Sequence, residues 1–244
     1  EIAYTVGSGS VDDGDTLTQG GVTATVRRVL VRTGTLAAGS AAGTLVISAP
    51  AGGNFAAGAA TTTGGGTLTL TAIQTAITLS PTGRYEFINA NFTGSTNTKR
   101  MYGCDGVNRA FEFDGTYFVP IPTGMTTDTP THIAFHLYHL FLSFNASVQH
   151  SSTGTPFGWT PVTGAAEFAM GDNVTGFSTQ PSGETNAAAL AVFGRPSFHP
   201  LRHRHLQLAA CALQGRDRSI PLHHPEPRAD GVSGHSGHHR HCNL

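Results

Sequence analysis

The chain has 244 residues, 39% of them hydrophobic and only 12% charged, with a formal net charge of -1 and a pI near 7. Without a global basic field, a strong sequence-independent nucleic-acid binder is not indicated. Gly (31 residues) and Thr (33 residues) are abundant. Thr is stiff at its branched Cβ and suits a pleated surface, and Gly supplies the positive φ that turns need, so the composition describes short strands and tight turns. The three cysteines, Cys104, Cys211 and Cys242, lie too far apart to suggest a disulfide framework. No stretch reaches the roughly 18 apolar residues of a membrane helix, so no membrane anchor is expected. No signal peptide is evident either; the chain begins at Glu1 rather than Met, as a fragment would.

Residues 1–79 are Gly/Thr-rich. Val22-Thr23-Ala24-Thr25-Val26 alternates and Arg27-Arg28-Val29-Leu30-Val31-Arg32 continues it; Thr44–Ile47 and Thr67–Ile73 follow. Gly20-Gly21, Gly52-Gly53-Asn54 and Gly64-Gly65-Gly66 punctuate them. Period-2 alternation between such turns predicts about five short antiparallel strands in a small β-barrel or sandwich. A weak internal echo links Val11–Thr18 with Phe55–Thr62, read as similar turns that each precede a Gly and a strand.

Residues 80–194 hold the only Trp, Trp159. Strands are expected in Arg84–Phe92, Lys99–Cys104, Arg109–Phe113, Tyr117–Ile121, Asn145–Ser151 and Ala187–Phe193. Asp114-Gly115 between two aromatic runs predicts a type I′ hairpin, because both central positions of that turn need positive φ. Thr131–Phe144 is read as two strands with a turn near Leu137-Tyr138-His139. Sets of three or four strands recurring about every 40 residues suggest propeller blades, with a continuous sandwich as the alternative.

Residues 195–244 change character abruptly. All 33 Thr precede them, whereas nine of the 13 His and seven of the 14 Lys+Arg fall within them. A disordered basic tail, a His-rich metal tract and out-of-frame translation are the three readings, and the last is favoured. It predicts a low-order, irregular His/Arg/Pro-rich tail.

Candidate chemistry is sparse. Asp12-Asp13-Gly14-Asp15 lacks the distal bidentate Glu of a Ca²⁺ loop and reads as a solvated turn. Asp105 and Asp114 each precede Gly, which fits Asx-type turns better than an acid/base pair. His132, His136 and His139 have helical-looking spacing, but the segment reads as strand, where His132 and His136 share a face and His139 need not join them. His235, His238, His239, His241 and Cys242 offer donors without a framework that fixes a geometry. Arg27, Arg28 and Arg32 form a small basic run that suits an acidic partner, DNA or a protected strand edge. A nucleophile elbow, a P-loop and a Rossmann fingerprint are all missing. No catalytic, cofactor-binding or metal-binding residue is therefore assigned, no cofactor is expected, and the chain is not expected to be an enzyme.

Tyr102–Gly115, Pro130–Ser143 and Val148–Pro156 resemble segments of bacteriophage tail proteins. Their pattern of strand, aromatic, Leu-Phe-Leu-Ser, short strand, Gly-x-Pro and Trp is similar to β-propeller blades in tail-nozzle or tail-hub components. The Gly-rich part is similar to small β modules of phage virion proteins. With the resemblance, which does not extend to 195–244, the chain is expected to be all-β, with a barrel or sandwich module (1–79), an incomplete propeller-like region (80–194) and an irregular tail (195–244). The resemblance also implies a virion structural role, homo-oligomerisation, contact with other tail proteins and non-specific contact with phage DNA along an exit path. A receptor- or glycan-binding module of a tail fibre, with Trp159 and Tyr117 stacking on sugars, is the alternative, and a polysaccharide-degrading enzyme the third.

Overall fold

The computed structural model describes residues 1–95, 98–180 and 189–195. The chain divides into two units, Glu1–Gln214 and Gly215–Leu244, and every described residue belongs to the first. Sixteen strands and one turn of 3-10 helix account for the regular structure of these residues, so the protein is all-β. The expected irregular tail, with its His235–Cys242 cluster, falls outside the described residues, apart from Arg195.

β1 (Ile2–Ser8), β2 (Thr16–Gln19), β3 (Val22–Thr33), β4 (Ala41–Ile47), β5 (Gly58–Thr62) and β6 (Thr67–Leu70) close into an antiparallel barrel in the order β1-β4-β3-β2-β5-β6. The choice between barrel and sandwich thus resolves to a six-stranded barrel. Alternation dictates its filling: in β6, Leu68 and Leu70 point inward while Thr67 and Thr69 face solvent. Ile2, Tyr4, Leu17, Val26 and Leu45 complete the interior, with Phe55 fully buried against them. Burying one such side chain is worth about 1.5–3 kcal/mol. The echoing segments prove to be more than turns: each ends in a strand, β2 and β5, and these pair with each other through Leu17–Thr62 and Thr18–Thr61.

The long strand β3 is interrupted twice. Its register against β4 shifts between Val26 and Arg28 and again between Val31 and Thr33, leaving Arg27 and Arg32 as the extra residues. A bulge of this kind re-aims the side chains beyond it. Val26 lies inside the barrel, whereas Leu30, four residues on, packs outside it with Val46 and Val119.

Three further sheets come next in chain order, two of them simple four-stranded meanders and the third, among the described residues, a two-stranded hairpin. Sheet I has β7 (Glu86–Ala90), β8 (Arg100–Cys104), β9 (Phe111–Phe113) and β10 (Phe118–Pro120). Sheet II has β11 (Ile133–His136), β12 (His139–Phe144), β13 (Ser147–His150) and β14 (Ala166–Ala169). Sheet III has β15 (Val174–Gln180) and β16 (Ala189–Gly194). The sheets stack in one sense. Ile88, Tyr102 and Cys104 of sheet I meet Ile133, Leu140, Leu142 and Phe144 on one face of sheet II. The opposite face of sheet II, with Ala134, Phe141 and Val148, meets Val174, Leu190 and Val192 of sheet III. Being covered on both faces explains why β12 reads as an almost unbroken apolar run.

The Asp114-Gly115 hairpin departs from its sequence signal, whereas the turn expected near Leu137-Tyr138-His139 is found there. Phe113 pairs with Phe118, so the loop holding Asp114-Gly115 has four residues and only Gly115 takes positive φ, at 100°. Asp114 Oδ1 accepts hydrogen bonds from the Thr116 and Tyr117 amides, so the side chain organises a wider turn than the expected type I′. The two-residue turn occurs instead at Leu137-Tyr138, between paired His136 and His139, with φ of 46° and 61°. Two positive-φ positions in a row mark type I′ geometry, which favours Asn-Gly. A left-handed L-residue costs about 1–2 kcal/mol. Replacing Leu137-Tyr138, both roughly half exposed, by Asn-Gly is therefore expected to stabilise the chain by about 1–2 kcal/mol, read as a higher urea midpoint; a lower midpoint would show that the Tyr138 ring on Phe135 matters more.

Candidate interaction surface

Four aromatic side chains crowd the outer face of sheet I, the face turned away from sheet II. Phe87 on β7 and Phe111 on β9 flank Gly103 on β8, and the three residues are in register across the sheet. A Cβ at Gly103 would lie 2.6 Å from the Phe111 ring and 2.9 Å from the Phe87 ring, so the missing side chain is what lets the rings close over the strand. Their centroids are 6.1 Å apart, edge to face. Tyr85 lies parallel to Phe87 at 5.6 Å, and Phe118 stacks on Phe111 at 4.4 Å. Phe111 is buried beneath its neighbours, but Tyr85 and Phe87 are 42% and 52% exposed. Tyr85 and Phe87 thus form a small exposed aromatic patch on this face.

Arg28 ties the inner side of sheet I to the barrel. Its guanidinium donates to Asp13 Oδ2 at 2.5 Å and to Glu112 Oε1 at 2.6 Å, and lies 3.9 Å from Asp114. Glu112 is buried, and its second oxygen accepts a hydrogen bond from the Tyr102 hydroxyl at 3.0 Å. Burial, then the Glu112 charge and its hydrogen bond, raise the Tyr102 pKa far above the ordinary tyrosine value. Arg27 sits over the Tyr117 ring at 4.4 Å, a cation–π contact. Of the basic run, Arg28 and Arg27 thus serve contacts within the molecule. Arg32 is exposed and lines a cleft of about 550 Å³ together with Ile77, Arg109, Phe118, Met125 and Asp128. At that cleft Arg109 donates to Glu1 Oε1 at 3.2 Å.

The histidines separate differently from their spacing. His132 pairs with Glu86 at 3.0 Å, at the junction of sheets I and II. His136 and His139 face each other across the hairpin, and His150, which drew no attention in the sequence, joins them: the His139 and His150 rings are 4.7 Å apart. Both Nδ1 atoms approach the Ser151 carbonyl, at 2.5 and 2.9 Å. Register is the signal that was missing, since Phe141 pairs with His150 and places it on the face shared by His136 and His139. Among the described residues no group of three or more His, Cys, Asp or Glu is placed to hold a metal ion.

Burial, with His139 nearby, lowers the pKa of His136. Burial lowers that of His150 too, outweighing the hydrogen bond to Ser151, and His139 adds to the depression. A histidine with a depressed folded pKa takes its proton in the unfolded chain first, so stability falls as pH drops below about 6.5 and on through the folded pKa. Thermal melts from pH 8 to 5 should show the midpoint flat above about pH 7 and falling below it. In His150→Gln the fall should be shallower, and an unchanged slope would remove His150 from the account.

The remaining candidates have structural placements. Asp12, Asp13 and Asp15 form a turn: Asp15 Oδ2 accepts from the Asp12 amide at 2.9 Å, and Asp13 Oδ1 from the Val29 amide at 3.0 Å. Burial opposes ionisation of Asp105, but bonds from Asn108 and Val107 outweigh it and keep its pKa low. Trp159 packs against the core shared by sheets I and II and donates its indole N–H to the Pro156 carbonyl at 2.9 Å. One face of Tyr117 is covered by Arg27. Trp159 and Tyr117 are thus not exposed as expected; on sheet I the exposed aromatics are Tyr85 and Phe87. No protein-family model matches the chain, and neither a curated protein nor a solved structure matches it.

Proposed function

We propose that this chain is a structural component of a tailed-phage virion that works by assembling with neighbouring proteins. The observation that carries the reading is the run of sheets beginning at residues 86, 133 and 174, stacked face to face. Their first strands are neighbours in space: β11 lies beside both β7 and β15. First strands side by side with faces stacked outward from them is the arrangement of propeller blades. It agrees with the resemblance of Tyr102–Gly115 and Pro130–Pro156 to tail-protein blades. The barrel, fastened to sheet I through Arg28, adds a rigid module to that array. Arg27 and Arg28 are turned to Tyr117, Asp13 and Glu112, so contact with DNA has less support than contact with protein. Labelling this chain in particles of the source phage and imaging them by electron microscopy tests the reading. Label on the tail is expected; intact particles without label would refute it.

A further inference from the structure

Sheet II is covered on both faces, by sheet I and by sheet III. Among the described residues the stack therefore has two outer faces, and they differ in relief. The outer face of sheet I is bulky, with Tyr85, Phe87 and Phe118 standing over Phe111. The outer face of sheet III is formed by the residues that alternate with the inward Leu190 and Val192. In register they are Ser178 beside Ala191 and Gly176 beside Phe193. Gly176, Ser178 and Ala191 are partly buried and Phe193 is 39% exposed. Neither set of residues contains a charge, and depletion of charge is the mark of an interface core.

We propose that the aromatic face of sheet I seats on the small-residue face of sheet III of a second copy of this chain, head to tail. The choice of occupant rests on continuity. The contact repeats between molecules the sheet-on-sheet packing already present twice within one, and large rings opposite Gly, Ser and Ala interdigitate as two sheet faces must. The two surfaces are different, so the interface is heterologous: it closes into a ring if the rotation per copy permits, and otherwise grows as a filament. The inference rests on the assembly reading above and names its contact faces.

The test is sedimentation of the full chain over a wide concentration range, alone and with two variants. Phe87→Lys spoils one face and Ala191→Lys the other; both positions are solvent-accessible, and circular dichroism melts check that each variant folds. The parent chain should self-associate, and each variant should do so at least tenfold more weakly. Mixing the two variants should restore a dimer and nothing larger, because one undamaged face of each kind remains in the mixture. If Lys prevents folding, Phe87→Cys mixed with Ala191→Cys should give an intermolecular disulfide linking positions 87 and 191 by peptide mapping. A chain monomeric at every concentration, variants that associate like the parent, or a mixture without dimer would each overturn the inference. So would glycan binding by the monomer that is lost in Phe87→Ala. A chain located on the tail but monomeric in solution would sink this contact and leave the virion reading standing.

Discussion

Arg28→Ala should destabilise the protein by about 3 kcal/mol, the usual scale for breaking a buried ion pair. An exposed pair would give about 1 kcal/mol at most. The difference lies in what stays behind. Glu112 has a side chain only 6% exposed, and Arg28 itself is 20% exposed. Without the guanidinium, the Glu112 carboxylate remains buried with the Tyr102 hydroxyl as its hydrogen-bond partner. It must then stay charged in a poor medium or take up a proton, and either is costly. Adding Glu112→Leu should recover most of the loss, because the stranded charge goes with it. Urea unfolding of the two single variants and the double variant measures the coupling. A double variant that falls by the sum of the singles would show that Arg28 acts through packing alone.

Gly43→Ala should cost about 3 kcal/mol or more, at the upper end for overpacking. Gly43 lies in β4 where the strand pairs with both neighbours, opposite Tyr4 on β1 and Val31 on β3. A Cβ there would stand 1.8 Å from the Leu30 carbonyl oxygen and 3.1 Å from Val31 Cα. These are backbone atoms, so no side-chain rotation relieves the clash; β3 must move, and it closes the barrel. Gly176→Ala is the control, since nothing lies within 4 Å of its Cβ position. Comparable urea midpoints for the two variants would mean that β3 has room to shift.

Parts of this fold could be read from side-chain chemistry alone. Thr67-Leu68-Thr69-Leu70 alternates because one face meets the barrel interior, and Leu140–Phe144 is apolar but for Ser143 because both faces are covered. β5 was harder, for its Gly, Ala and Thr content carries little contrast between faces. The Leu137-Tyr138 turn was placed by its flanking strands, yet neither residue type announces positive φ. The interaction surface was less legible still. Phe87 and Phe111 are 24 positions apart and become neighbours only through their shared register with Gly103. The Arg27–Arg32 run is visible as charge, but the first bulge in β3 decides that Arg28 and Leu30 both turn out of the barrel, to Glu112 and Val119. Such outcomes depend on register, which is set by long-range pairing.

The double covering of β12 has a consequence for how the molecule opens. This strand is bonded to β11 on one side and β13 on the other, with a packed sheet above and another below. Fraying at a sheet edge cannot bring water to its amides. Their hydrogen exchange should track the rare opening of the whole stack, while β10 and β15, at sheet edges, exchange through smaller local events. The amides of Leu140 and Leu142 would then keep time for global unfolding, a clock in the middle of the chain against which the strength of any assembly contact at its ends can be measured.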